Sequence, residues 1–201
     1  LDIRHRFVGN FTVDLPFGEG RRYLNSGGVS NAVLGGWQVN GIVSLQTGSP
    51  FTVTGSDNSF TGSSHSAYAN CIGDPFAGAA SSPDQYASAD PTSGFFLTRA
   101  AFSNPTSGNF GTCRPRAFHG PGIENTDLSL FKQFKFSERY SLQFRAEFFN
   151  AFNHPNFANP NSNINSSNFG KVTSTIAPIL GADSGGPGDP REIQLALKLF
   201  F

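Results

Sequence analysis

The sequence predicts an all-β fold, an antiparallel meander of about five to seven long strands that forms part of a transmembrane β-barrel. Three observations predict it. Five segments alternate apolar and polar residues with a period of two, so each strand has two chemically different faces. Charged residues are 14% of the chain, against roughly 25% in ordinary soluble domains, while 22 of the 201 residues are Phe and 23 are Gly. Apolar runs are only a few residues long: the hydrophobicity is dispersed in alternation, as it is in membrane-spanning strands, and no segment is long enough for a membrane-spanning helix.

The first segment, RFVGNFTVDL, sets Phe7, Gly9, Phe11, Val13 and Leu15 against Arg6, Asn10, Thr12 and Asp14. In GWQVNGIVSLQT, Trp37, Val39, Gly41, Val43 and Leu45 share one face, and Gln38, Asn40, Ile42, Ser44 and Gln46 the other. NTDLSLFKQF places Leu128 and Leu130 opposite Asp127, Ser129 and Gln133. RYSLQFRAEFFN sets Tyr140, Leu142, Phe144, Ala146 and Phe148 against Ser141, Gln143, Arg145 and Glu147. Last, EIQLALKLFF opposes Ile193, Leu195, Leu197, Leu199 and Phe201 to Glu192, Gln194 and Lys198. PFTVTG after the Gly48-Ser49-Pro50 turn and FGKVTST near Phe169 are shorter and less regular, which is why the count spans five to seven.

The connections are unequal. Phe136-Ser137-Glu138-Arg139 is a tight link, and Ser30 to Leu34 suggests a short helix leading into Gly35-Gly36-Trp37. Residues 55–121 form a 67-residue stretch of Gly, Ser, Asn and Pro with little periodicity, a long loop inserted between strands. Such long loops are rare in compact soluble domains but usual on one side of outer-membrane barrels. If the last strand runs inward and the Ser137 turn is on the inner side, the strand from Arg139 runs outward. Residues 154–189 are then mostly outer loop, and Phe169 to Thr175 is not a spanning strand.

A soluble sandwich also alternates, so other features must separate the two. The segments run about 9 to 12 residues, near the roughly 9–11 that cross a bilayer and longer than the ~5–6 of soluble strands. Residues expected to face lipid are Phe7, Phe11, Val13, Val39, Val43, Leu45, Leu142, Phe144, Phe148, Leu195, Leu197 and Leu199; those expected to face the lumen are Gln143, Arg145, Glu147, Gln194 and Lys198. Only Lys132 puts a charge on an apolar face, near a strand end from which it would snorkel to headgroups. Trp37, Tyr140, Phe148, Phe152 and Phe201 lie toward segment ends, as interfacial girdles require.

Other chemistry is sparse. Net charge is zero and pI about 7.1, which argues against a nucleic-acid partner. His5, His65, His119 and His154 are scattered without metal-ligand spacing, and no metal or cofactor is expected. Asp183-Ser184-Gly185-Gly186-Pro187 looks like a serine-protease nucleophile loop, but only 17 residues follow Ser184 and no histidine stands in a fitting context; a turn is the better reading and no enzyme is expected. GSDNS at 55–59 lacks the ligand spacing of a calcium loop, and Gly18-Glu19-Gly20-Arg21-Arg22 falls short of a phosphate loop. Cys71 and Cys113 are a candidate disulfide, the alternative being two free thiols.

Four tracts carry a family likeness: DIRHRFVGNFTVDLPFGEGRR, LGGWQVNGIVSLQTGSPFTV, GPGIENTDLSLFKQFKFSERYSLQFRAEFFNAFNHPNF and PREIQLALKLFF. They resemble the C-terminal barrel region of TonB-dependent receptor-like outer-membrane proteins of the Oar-like kind, which carry a carboxypeptidase-regulatory-like domain at their N-terminus. Asn150-Ala151-Phe152-Asn153 is similar to an asparagine-aromatic-asparagine element near the end of such receptors, and the terminal Phe201 to their assembly signal. The resemblance implies a bacterial outer-membrane location, with lipid, the barrel-assembly machinery and, through an N-terminal part, a periplasmic energy-transducing protein as partners. It implies that residues 1–201 are a partial barrel, a fragment of a parent that takes up or binds a scarce ligand and unable to transport alone. The alternatives are an adhesion or scaffold barrel without transport, and a soluble carbohydrate-binding β-sandwich.

Overall fold

The computed structural model describes residues 3–18, 20–23, 28–60, 67–80, 94–137, 139–176 and 189–201. In chain order the elements are β1 (Arg6–Asp14), α1 (Val29–Leu34), β2 (Trp37–Gln46), β3 (Pro50–Phe51), β4 (Thr54–Gly55), β5 (Ala67–Tyr68), β6 (Asn70–Cys71), a 3-10 turn (Arg99–Ala101), β7 (Phe102–Ser103), β8 (Phe118–His119), β9 (Ile123–Lys135), β10 (Ser141–Phe149) and β11 (Glu192–Phe200). They divide between two compact units, one of Phe7–Leu45, Glu124–His154 and Pro178–Phe201, the other of Leu1–Arg6, Gln46–Ile123 and Pro155–Ala177.

The first unit is one five-stranded sheet in the order β1-β2-β9-β10-β11, and its strands are the five that alternate in sequence. The sheet is open, with β1 and β11 at its edges. Pairing keeps like with like. Leu142, Phe144, Ala146 and Phe148 of β10 stand opposite Phe134, Lys132, Leu130 and Leu128 of β9, and opposite Leu199, Leu197, Leu195 and Ile193 of β11. Directly paired residues share a face, so these twelve make one continuous surface, apolar except for Lys132.

The β1–β2 pair extends that surface. Leu15 N–H donates to Trp37 O (2.9 Å), Thr12 Oγ1 to Asn40 Oδ1 (2.8 Å) and Gln38 Nε2 to Asp14 Oδ1 (3.0 Å), which sets Phe11 opposite Gly41. A Cβ at Gly41 would lie 2.3 Å from Phe11 Cζ and 3.1 Å from Leu128 Cδ2, so the missing side chain is the space the Phe11 ring fills. The link between β9 and β10 closes on itself: Phe136 N–H donates to Tyr140 O (3.1 Å), and Ser137 Oγ accepts from Arg139 N (3.3 Å) and Tyr140 N (3.1 Å), a hydroxyl completing a tight turn.

The second unit takes in most of the long connection 55–121. It has a hydrophobic core in which Val53, Ala69, Leu97, Ala101, Phe102, Cys113, Ile164 and Phe169 are buried, extended by Phe51 and Phe118. Three two-stranded ribbons, β3 with β8, β4 with β5 and β6 with β7, bring its segments together. Phe rings stack edge to face, Phe102 with Phe169 at 5.4 Å and with Phe118 at 5.6 Å between centroids. Cys71 and Cys113 are joined by a disulfide across 42 residues of chain, with Cα atoms 5.1 Å apart.

Both short sequence candidates fail as spanning strands. PFTVTG is broken into β3 and β4, because Val53 between them turns into the core with no measurable exposure. FGKVTST forms no strand, only the isolated bridges Phe95 to Lys171 and Phe157 to Thr175, and among the described residues of 154–189 there is no long strand. The core contains none of Phe11, Val43, Phe144 or Leu197, and Leu197 is 69% exposed, so the long strands do not form the interior of a soluble sandwich.

Two outcomes follow from this packing. Gly41→Val places two methyls where the Phe11 ring lies; overpacking of this kind costs about 1–3 kcal/mol and is expected to lower the temperature at which the sheet loses its folded, heat-modifiable gel migration. Reducing the Cys71–Cys113 bond removes about 4 kcal/mol of loop-closure stabilisation on the chain-entropy relation for this separation. Limited proteolysis with and without dithiothreitol reads it out as faster cleavage in 46–123 with the strands of the sheet still protected.

Candidate functional site: the polar face of the sheet and its two ends

The five residues predicted to face a lumen come together. Gln143 of β10 stands between Gln133 of β9 and Lys198 of β11, and Glu147 between Ser129 and Gln194. Arg145 lies between these rows, opposite Phe131 and Ala196. Its guanidinium sits over the Phe131 ring at 4.4 Å from the centroid, a cation–π contact, and reaches Glu147 Oε1 at 3.7 Å. With side chains 38% and 27% exposed, that ion pair is worth less than about 1 kcal/mol. Arg145 Nε, Asn40 Nδ2 and Asn125 Oδ1 are buried without a hydrogen-bond partner, so the face keeps spare donors and an acceptor. Among the described residues no cluster of His, Cys, Asp and Glu could hold a metal ion, and Ser184 lies outside the described residues.

At the end of the sheet where β10 leaves, the tract Asn150-Ala151-Phe152-Asn153 makes a polar clamp. Asn150 and Asn153 both have positive φ, 46° and 53°, a left-handed conformation that asparagine tolerates better than most residues. The buried Asn150 amide donates to His154 O and Asp189 O, each at 3.0 Å, and its Oδ1 accepts from His154 N at 2.9 Å. Its own N–H donates to Asp127 Oδ1 (2.9 Å), which also accepts from Asn125 Nδ2 (3.0 Å). Asn153 Oδ1 accepts from Arg191 N (3.1 Å). One motif thereby ties β9, the exit of β10 and the entry to β11.

At the opposite end, residues 15–18, 20–23 and 28–36 lie beside the ends of the strands. Pro16 to Tyr23 close a small loop through Gly18 N–H to Tyr23 O (2.9 Å) and Tyr23 N–H to Pro16 O (3.0 Å), with Arg21 paired to Asp14 at 3.0 Å. Gly18 and Gly35 approach so closely that a Cβ on Gly35 would lie 2.9 Å from Gly18 Cα. Together with the ends of β2, β9 and β10 this connection encloses a cleft of about 770 Å³, whose polar lining includes Asp14, Arg21, Gln38, Gln133 and Gln143. Lys132 differs from its sequence reading here. It is buried, 3% exposed, and donates to Val33 O (2.8 Å) and Gly35 O (2.6 Å) at the C-terminal end of α1 instead of reaching outward to headgroups.

The comparison with known families agrees with this geometry. The family described as Outer membrane beta barrel domain matches residues 1–194. The chain belongs to this family. It is a bacterial outer-membrane protein, and its nearly all-β, antiparallel meander is the architecture of the family. No curated protein and no solved structure matches it.

Within the barrel domain, the residues expected to face lipid fall on the apolar face wherever pairing is defined. Those on the edge strands, Phe7, Phe11, Val13, Leu195, Leu197 and Leu199, are the more exposed, because β1 and β11 each lack a neighbour on one side. Phe201 is 86% exposed at the chain end. Sequence reading missed Phe131, Phe149 and Phe200 as members of the polar face, although the parity of each strand places them there. It also missed the clamp chemistry of Asn150, since its partners lie 4, 23 and 39 residues away.

The clamp predicts a graded result. Asn150→Ala loses the side-chain bonds and strains the left-handed backbone, for a combined cost of about 3 kcal/mol. Asn150→Gly loses the bonds but not the conformation, and is expected to recover about 1 kcal/mol of that. Denaturant titration of the protein in detergent, followed by tryptophan fluorescence, ranks the two variants.

Proposed function

We propose that the chain is the C-terminal part of a TonB-dependent, Oar-like receptor barrel whose full-length protein binds and takes up a scarce ligand. The observation that carries the membrane half of this reading is the segregation of faces across five paired strands. Every paired residue of the β9–β10–β11 face is apolar except Lys132, and that charge is covered by protein carbonyls. The apolar face meets lipid and the polar face, with Arg145, Glu147, Gln143, Gln194 and Lys198, meets a watery lumen. The open edges support a larger assembly: in hydrocarbon each unpaired backbone group of β1 and β11 would cost several kcal/mol, so further strands close the ring.

With the last strand running inward, the Ser137 turn and the 15–36 connection are periplasmic, while 47–122 and 150–191 connect strands on the outer side. Cys71 and Cys113 then belong to an extracellular connection, where an oxidised bond persists. The uptake half rests on the likeness of the four sequence tracts to such receptors, and the role proposed is binding and transport without catalysis. Phe201 and the preceding alternation serve as the signal to the barrel-assembly machinery.

One observation favours a second reading. Phe60 and Phe110, 81% and 69% exposed, stand out from the disulfide-linked unit, as side chains of an adhesive surface would. Deleting the gene, and separately the gene of the periplasmic energy transducer, discriminates the two. Uptake predicts the same growth loss in both strains when ferric chelates or oligosaccharides are limiting. Adhesion predicts normal growth in both and reduced surface attachment only in the first.

A further inference from the structure

The Lys132 site is unlike the rest of the apolar face. A lysine there would be expected to seek water, yet its ammonium is held inside the protein by the carbonyls of Val33 and Gly35 and lies 4.9 Å from the ring centroids of both Trp37 and Phe134. Carbonyls at the end of a helix have no partners within it and carry partial negative charge, so they suit a cation. Trp37 strengthens the same junction: its Nε1 donates to Val33 O at 2.9 Å, and its ring meets Phe144 edge-on at 6.4 Å. α1 is therefore fastened to the face that the proposed reading gives to lipid.

The exposed side of this connection is also apolar. Val33 and Leu34 are 57% and 50% exposed, and the chain has no charged residue from Tyr23 to Trp37. Aromatic residues mark the same end of the sheet: Phe136 and Tyr140 at the turn are 68% and 48% exposed, and Tyr23 in the connection is 49% exposed. Aromatic belts of this kind sit at headgroup level. The Arg22 guanidinium, beside Tyr23 at 5.5 Å, supplies a cation for lipid phosphates at that level.

We infer that α1 is an in-plane membrane anchor, lying in the leaflet at the Ser137-turn end of the sheet with Val33 and Leu34 at the boundary of headgroups and acyl chains, and pinned to the sheet by Lys132. The inference rests on the assignment of the apolar face to lipid. Continuity argues for lipid as the occupant, since a surface contiguous with a lipid-facing sheet and free of charge is wetted by the same solvent. The charge of Lys132 thus serves the membrane surface indirectly, by holding an apolar element over itself.

The test places a thiol at Leu34 or Leu197 of the full-length protein purified from outer membranes, in which Cys71 and Cys113 are bonded and do not react. Each thiol is labelled with an environment-sensitive fluorophore, and the protein is reconstituted in phosphatidylethanolamine/phosphatidylglycerol vesicles containing phosphatidylcholine with a nitroxide at acyl carbon 5 or 12. The anchor predicts that the Leu34→Cys label is quenched at least twofold more by the shallow nitroxide than by the deep one, and that the Leu197→Cys label is quenched by the deep one. A quenched Leu197 site with an unquenched Leu34 site overturns the anchor and leaves the membrane sheet standing. An unquenched Leu197 site overturns the lipid assignment itself. Protection of Leu34 from a charged thiol reagent without lipid quenching means that protein covers it, and also overturns the anchor. In Lys132→Met, α1 loses its pin: shallow quenching at Leu34 is expected to fall by half or more, and Trp37, the one tryptophan of the chain, to shift its emission to the red. Unchanged quenching in that variant overturns the role of Lys132.

Discussion

A strand in hydrocarbon has no water to take its N–H and C=O groups, so each must be handed to a neighbouring strand or to a side chain. The five-stranded sheet obeys this along its length through the ladder, and the places where the ladder stops are therefore the places that need special chemistry. Three such ends are visible. The Ser137 hydroxyl accepts two backbone N–H groups at the tight turn. The Asn150 side chain takes up two carbonyls and one N–H where β10 ends. Lys132 and Trp37 take up the carbonyls that α1 leaves open. A hydroxyl, an amide and an ammonium solve one problem, each where its own geometry fits.

The two units spend the same residue type differently. In the sheet, Phe7, Phe11 and Phe144 stand on the apolar surface: Phe11 covers Gly41 of the neighbouring strand, Phe7 lies against Gly9 of its own, and Phe144 meets Trp37 edge-on. In the other unit, Phe51, Phe102, Phe118 and Phe169 turn inward and pack on one another. Among its described residues that unit has only two-residue strands, so its order comes from ring packing, asparagine hydrogen bonds and a covalent link. The closest polar example is the reciprocal set in which Ser56 N donates to Asn104, Asn104 to Asn165 and Asn165 to Ser56.

These differences explain what could be read in advance. The five long strands and their faces were readable because alternation is a local property that survives without knowledge of partners. α1 was readable from a short segment bounded by glycines. The core of 46–123 and 155–177 was not, because Val53, Leu97 and Phe169 are isolated apolar residues in polar surroundings and only the folded chain shows that they meet. Likewise the sequence identifies Lys132 as an anomaly but cannot supply its partners, which lie 97 and 99 residues earlier. Phe131 fell between these cases. Its parity puts it on the polar face, and its aromatic character hid that until Arg145 was seen stacked on it.

Lys132 also shows why an otherwise apolar sheet face keeps a charge at all. A leucine at this position would complete the apolar face and remove the cost of burying an ammonium, so by area alone it would be the better residue. It would also leave the Gly35 carbonyl without the donor that Lys132 provides, in a region where water is scarce. A buried charge with full hydrogen bonding is seldom the most stabilising choice, and its best-attested use is to fix one arrangement among several of similar energy. Here the arrangement fixed is the docking of α1. An apolar pair such as leucine against Val33 would allow the short helix to slide along the sheet, whereas two carbonyls converging on one ammonium admit a single position.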